Sequence, residues 1–166
     1  LANTATAGST VMDNTFTNND THIRDLQNGL DLAGMLTTNS FDAAAVNANS
    51  GGAIYGDLQT AIGKANNGDT LDVTGAFVTN GQVEISQDLT IAGLSGARAT
   101  ITSGTDQTGG NEADAWMLVD PNVTFNLSNV VIDGSGHVID QALRNEGNST
   151  IDNVDFRNIG TPAGYV

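Results

Sequence analysis

The feature that most constrains this chain is a recurrence of short alternating apolar runs, each set behind an Asn, Gly or Asp turn. Asp88-Leu-Thr-Ile91, Asn122-Val-Thr-Phe125 and Asn148-Ser-Thr-Ile151 lie over one another, which spaces Thr90, Thr124 and Thr150 by 34 and then 26 residues. Strand-length segments returning at such a period mark a stacked repeat, in which each unit covers the apolar face of the next. The longer spacing holds the polar stretch 105–114, an inserted loop. A second strand follows in each unit, Asn129-Val-Val-Ile132 and Asn153-Val-Asp-Phe156, with Asn three residues ahead of an apolar anchor. Asn tolerates left-handed backbone, and stacked Asn side chains can hydrogen-bond between units, so an Asn ladder is expected at this corner. Leu71-Asp-Val73, Val83-Glu-Ile85 and Ala99-Thr-Ile101 are further runs of the same alternating type.

The N-terminus repeats the C-terminal unit. Gly8-Ser-Thr-Val-Met-Asp-Asn-Thr-Phe16-Thr-Asn-Asn19 matches Asn148-Ser-Thr-Ile-Asp-Asn-Val-Asp-Phe156-Arg-Asn158, including the Thr-to-Phe spacing. Residues 1–19 therefore read as the coil that belongs after the last one. The intervening residues 20–56 fit no repeat. Ile23, Leu26, Leu30 and Leu32 have roughly helical spacing, and Ser50-Gly-Gly-Ala-Ile-Tyr-Gly56 is turn-like. The expected organisation is an N-terminal arm over 1–56, made of a detached coil (1–19) and a connecting segment, followed by a β domain over 57–166.

Composition narrows the function. The 166 residues carry 19 Asp and Glu against 5 Lys and Arg, for a formal charge of −14. That charge repels phosphate backbones and anionic bilayers, which argues against a nucleic-acid partner. No apolar run reaches the roughly 18 residues of a membrane-crossing helix, so no membrane insertion is expected. The absence of Cys removes disulfides and thiolate metal sites. A start at Leu1 without a basic-then-apolar leader fits a processed secreted chain or a piece cut from a longer one; with the absence of Cys, the expected location is secreted or cell-surface.

Asp57 followed by Leu58-Gln-Thr-Ala-Ile-Gly-Lys-Ala65 reads as a short amphipathic helix with Asp as its N-cap and Asn67-Gly68 as its stop. With the ensuing Gly-Asp-Thr turn, Leu71-Asp-Val73, Val83-Glu-Ile85 and Leu89-Thr-Ile-Ala-Gly93, this stretch resembles the opening of the pectate-lyase-like right-handed parallel β-helix superfamily. The Ser-Thr-Val/Ile coils with Phe-x-Asn, and Gly51-Gly-Ala-Ile-Tyr55, are most like repeats of bacterial surface adhesins and polymorphic outer-membrane proteins. The resemblance spans roughly 50–166 plus 1–19. It implies an all-β fold, a right-handed parallel β-helix (solenoid) with a short N-terminal cap helix near 58–65 and an N-terminal arm, and it identifies fold better than function.

A cap helix at 58–65 closes one end of such a stack and leaves the coil at 1–19 to go elsewhere. The expected function is structural: head-to-tail self-assembly of identical subunits into a filament, with residues 1–19 completing the C-terminal coil stack of a neighbour. The interface residues are Val11, Phe16, Ile151, Phe156, Tyr165 and Val166. Inward rows are expected to run Ile91, Phe125, Ile151, Val11 and Ile101, Ile132, Phe156, Phe16. Three alternatives stand beside this: an excised repeat of a large adhesin, a coil folded back within one monomer, and a glycan-binding or polysaccharide-lyase-like β-helix.

Catalysis is not expected. The whole basic complement is Arg24, Lys64, Arg98, Arg144 and Arg157; Arg144 and Arg157 could flank Asp140, Asp152 and Asp155, but no family signature surrounds them. His22 and His137 have no metal-ligand spacing. Asp13, Asp133, Asp140, Asp152 and Asp155 offer the oxygen ligands Ca²⁺ takes, without an EF-hand pattern, so Ca²⁺ stays an unassigned candidate and no cofactor is expected. For surface glycans, Trp116 is the aromatic to watch, placed either outside after a polar loop or in the core.

Overall fold

The computed structural model describes residues 2–3, 9–96, 98–109 and 115–160. Its elements are β1 (Ala2–Asn3), β2 (Thr15–Phe16), β3 (Thr21–Asp25), α1 (Leu32–Thr38), β4 (Ser40–Phe41), β5 (Ala43–Asn47), β6 (Ala53–Tyr55), α2 (Leu58–Lys64), β7 (Asp69–Thr79) and β8 (Val83–Ile85). They continue with β9 (Leu89–Gly93), β10 (Ala99–Ser103), β11 (Met117–Val119), β12 (Thr124–Ser128), β13 (Val130–Asp133), β14 (Leu143–Asn145), β15 (Asn148–Asp152) and β16 (Asp155–Arg157). The chain is mostly β, with two short helices and sheets dominated by parallel pairing.

From β8 to β13 each strand pairs in parallel with the third strand after it, and β7 pairs in parallel with both β9 and β10. The first ladder runs β7, β9, β12, β15, the second β7, β10, β13, β16, and the third β8, β11, β14. β7 serves two ladders because it bends at Gly75, where φ is +80° and the carbonyl oxygen of Asp42 lies 2.3 Å from where a β-carbon would stand. No L side chain fits that approach. Along each strand the alternation of buried and outward residues follows from the period-two pleat.

The ladders enclose one core. Leu71, Ile91 and Leu127 stack in register across the first ladder, and Phe77, Ile101 and Ile132 across the second; each is at most 1% exposed. Burying each such side chain contributes about 1.5–3 kcal/mol of transfer free energy. Trp116 is fully buried here and donates its indole N–H to Thr79 Oγ1 at 2.8 Å.

α2 forms where the sequence places it. The Asp57 carboxylate accepts from Thr60 N at 2.6 Å, and Leu58, Ala61 and Ile62 face the core. The helix ends at Lys64, ahead of the Asn67-Gly68 expected as its stop; Gln87 Nε2 donates to the Ile62 and Ala65 carbonyls, supplying partners the helix end lacks.

The helical spacing of Ile23, Leu26 and Leu30 does not give a helix over those residues. Thr21–Asp25 is a strand, and the chain turns at Asn28 (φ 51°) while the Asp25 carboxylate accepts from Gln27 N and Leu30 N. That side chain offers the backbone a local alternative to the helix, which starts only at Leu32. Residues 20–56, read from the sequence as a connecting segment, hold β3 to β6 and α1, and β5 pairs antiparallel with β7. Ile23, Leu32, Met35, Leu36, Ala44, Val46 and Ile54 make a second, smaller core.

Candidate functional site

The last described circuit, β15 and β16, pairs on one side only among the described strands. Its inward row positions are occupied by Ile151, in register with buried Leu127, and Phe156, in register with buried Ile132. These two are 38% and 39% exposed, and Ile159 beside them 37%. An apolar cross-section and a row of backbone groups therefore face outward together, the arrangement that recruits another chain.

The corners of this edge are set by Asn. Asn129 and Asn153 both hold left-handed backbone (φ 55° and 52°), and Asn153 Nδ2 donates to Asn129 Oδ1 at 3.0 Å. Asn129 Nδ2 in turn donates to the Gly93 and Leu94 carbonyls at 2.9 and 2.8 Å. The Asn ladder read from the sequence is present. At the next corner Asn158 (φ 53°) donates to Asp133 Oδ1 and Ser135 Oγ, both at 2.8 Å, and Arg157 Nε meets Asp133 Oδ2 at 3.0 Å. Donation from Asn158 first, then from Ser135 and, more weakly, Arg157, outweighs burial and holds the Asp133 carboxyl down at about 2.

The N-terminal segment carries the same bends. Asp13 (φ 60°) and Asn18 (φ 56°) are the sequence counterparts of Asn153 and Asn158, and they too are left-handed. β2 pairs in parallel with β4, with Phe16 stacked on Phe41 at 5.0 Å between ring centroids. Phe16 also meets the edge of the His22 ring at 5.9 Å. His22 is buried, its Nε2 2.7 Å from the Ala43 carbonyl oxygen and 3.5 Å from Asp42 Oδ1. Asn18 N donates to Asp42 Oδ2 at 2.7 Å. In Asp42 burial works against the hydrogen bonds from Asn18 and Ala43, which prevail and keep its carboxyl below the usual range.

Of the six interface residues read from the sequence, Val11 and Phe16 lie together against the second core, and Ile151 and Phe156 lie together on the open edge. The fold of the single chain does not bring the two pairs into contact. Tyr165 and Val166 fall outside the described residues. One predicted row needs correction: Phe125 pairs with Leu89 and Ser149, not with Ile91 and Ile151, whose partner is Leu127. Thr90 accordingly pairs with Asn126, 36 residues on, and Asn126 with Thr150. A two-residue slip keeps every side chain on its own face, so alternation alone does not detect it.

No family model, no curated protein and no solved structure matches this chain. The site is therefore read from its own geometry.

The side chains considered for catalysis are mostly engaged. Arg144 meets Glu146 at 2.9 Å, Arg157 meets Asp133, Asp140 accepts from Gly109 N at 2.8 Å, and His137 pairs with Asp106 at 3.1 Å. Among the described residues no group of three or more His, Asp or Glu is placed to hold a metal ion. The sequence reading missed one residue of the open edge: exposed Arg98, whose guanidinium donates to Asn153 Oδ1. The two lie 55 residues apart, and no local signal joins them.

Proposed function

We propose that this chain is an extracellular structural subunit: a right-handed parallel β-helix whose N-terminal coil, within residues 1–19, stacks on the open β15–β16 edge of an identical neighbour. The three ladders are then the three faces of the solenoid, and right-handed crossover is the strongly preferred sense for parallel strands. The contact is heterologous and does not close on itself, so repetition grows a filament.

One observation carries this reading. Residues 9–18 and 149–158 match in sequence and place left-handed residues at the same two corners, Asp13 with Asn153 and Asn18 with Asn158. The N-terminal segment is thus already bent as a coil. Within its own chain the ladder partner of its β2 is the two-residue β4, β1 pairs with β3, and single hydrogen bonds from Asp13 N to the Thr38 carbonyl, from Asn39 to the Val11 carbonyl and from Asn18 N to Asp42 hold its bends. On a neighbour it meets the five residues of β15 and the three of β16, and would set Val11 over Ile151 and Phe16 over Phe156.

The docking of Phe16 on Phe41 favours a second reading, a self-contained monomer with the coil folded back. Light scattering and negative-stain microscopy separate the two, applied to the full chain, a chain lacking residues 1–19, and Phe156→Asp. Filaments from the full chain only are expected. Phe156 is exposed, so its substitution tests the edge without unfolding the subunit. Monomers in all three samples overturn the proposal in favour of the folded-back monomer.

A further inference from the structure

The corner ladder of Asn129 and Asn153 ends at Asn153, whose Oδ1 is occupied by the Arg98 guanidinium. Arg98 is exposed and joins no ion pair among the described residues. This matters in a chain with five basic side chains against nineteen acidic ones, of which Arg144 and Arg157 already face Glu146 and Asp133. The open edge itself carries exposed Asp152 and Asp155. An acidic segment arriving there is repelled unless a cation receives it.

The segment that matches the edge brings one carboxylate, Asp13, and that carboxylate stands at the ladder corner. Asp13 has the sequence place and backbone sign of Asn153. In its own chain its side chain is exposed and enters no ion pair among the described residues. A coil added to the edge sits about 4.8 Å beyond the last one. Asp13 then lies directly over Asn153, within reach of the guanidinium that already rests on that side chain. Carboxylate and amide differ here in consequence: an Asn would extend the ladder by donating to Asn153 Oδ1, whereas Asp can only accept and so requires the donor that Arg98 supplies.

We infer that Arg98 of one subunit and Asp13 of the next form an inter-subunit ion pair that terminates the Asn ladder and sets the register of the added coil. This rests on the self-association reading and names the contact that selects a second copy of this chain. A coil slipped by two residues still buries apolar side chains inward, but it carries Asp13 away from Arg98 and leaves it near Asp152 or Asp155. The pair is exposed, so it discriminates between registers more than it adds affinity, and salt screens it.

The test is a charge-reversal cycle on the full chain: Arg98→Glu, Asp13→Lys and both together, with the concentration at half-assembly measured by light scattering at low salt. Each single reversal sets like charges face to face and is expected to raise that concentration about fivefold, the double reversal to return it to within about twofold of the unaltered chain. Any cost of Lys in left-handed backbone at position 13 is the same in both backgrounds and cancels in the cycle. Should Asp13→Lys fail to fold, Arg98→Gln, which keeps a donor for Asn153 and removes the charge, is expected to weaken assembly about threefold, and less at high salt. If the unaltered chain assembles and the two reversals are additive, or change nothing, the ion pair is wrong while self-association stands. If the unaltered chain does not assemble, both are overturned.

Discussion

Asn153 donates its side-chain amide to Asn129 Oδ1 at 3.0 Å, and both residues hold the backbone at positive φ, 52° and 55°. The same residue type thus makes the corner and ties one circuit to the next. Two contributions are combined, one conformational and one from hydrogen bonding, and they can be separated. Asn129→Gly keeps the left-handed backbone accessible and removes the side-chain bonds to Gly93, Leu94 and Asn153; Asn129→Ala adds the steric cost of a β-carbon at positive φ. In urea titration Gly is expected to cost about 1–2 kcal/mol and Ala about 1 kcal/mol more. Equal losses would mean that the backbone term is absent.

Ile132 and Phe156 occupy one row but not one environment. Ile132 is fully buried, so Ile132→Ala is expected to destabilise the subunit by about 2–5 kcal/mol. Phe156, 39% exposed, loses little packing on truncation, and Phe156→Ala is expected to cost about 1 kcal/mol or less in the monomer while weakening assembly strongly. Denaturation at a concentration where the chain is monomeric, read beside light scattering, distinguishes the two effects.

Asp133 makes stability depend on acid. Its carboxyl lies at about 2 in the folded chain against an ordinary value of 3.8. The folded state therefore favours the ionised form, and the resulting stabilisation is complete above the ordinary value and is lost as pH falls from there through about 2. Asp133→Asn removes this contribution, so the difference in unfolding free energy between the two proteins should shrink as pH drops from about 5 towards 2. A difference constant over that window would contradict the assignment.

The absence of Cys allows the register of the proposed contact to be read by crosslinking. Met12 corresponds to Asp152, and both are exposed. Coils about 4.8 Å apart bring their α-carbons within the 4.4–6.8 Å span of a disulfide. Chains carrying Met12→Cys mixed with chains carrying Asp152→Cys are expected to give a disulfide dimer on mild oxidation. Thr150→Cys in place of Asp152→Cys should not, and a preference for that pair would show a register slipped by two residues.

Much of the local structure was legible in the residues. The alternating runs, the Asn corners, the Asp57-capped helix and the row from Ile101 through Ile132 to Phe156 depend on pleat period, left-handed tolerance and side-chain capping, which act within a few residues. What tertiary structure decided was non-local. Phe125 sits two residues from its expected place because a shift of one full pleat period leaves inside and outside unchanged, and only packing against Leu89 selects the register. Ile23 lies in a strand and not a helix because β6 offers it an antiparallel partner and the Asp25 carboxylate turns the chain before Leu30, both of which outweigh a helical spacing. The meeting of Arg98 with Asn153 needed the circuits to be stacked before it existed. Periodicity by itself determined which residues turn and which face inward; which strand lies on which, and where Arg98 comes to rest, was decided when the chain closed on itself.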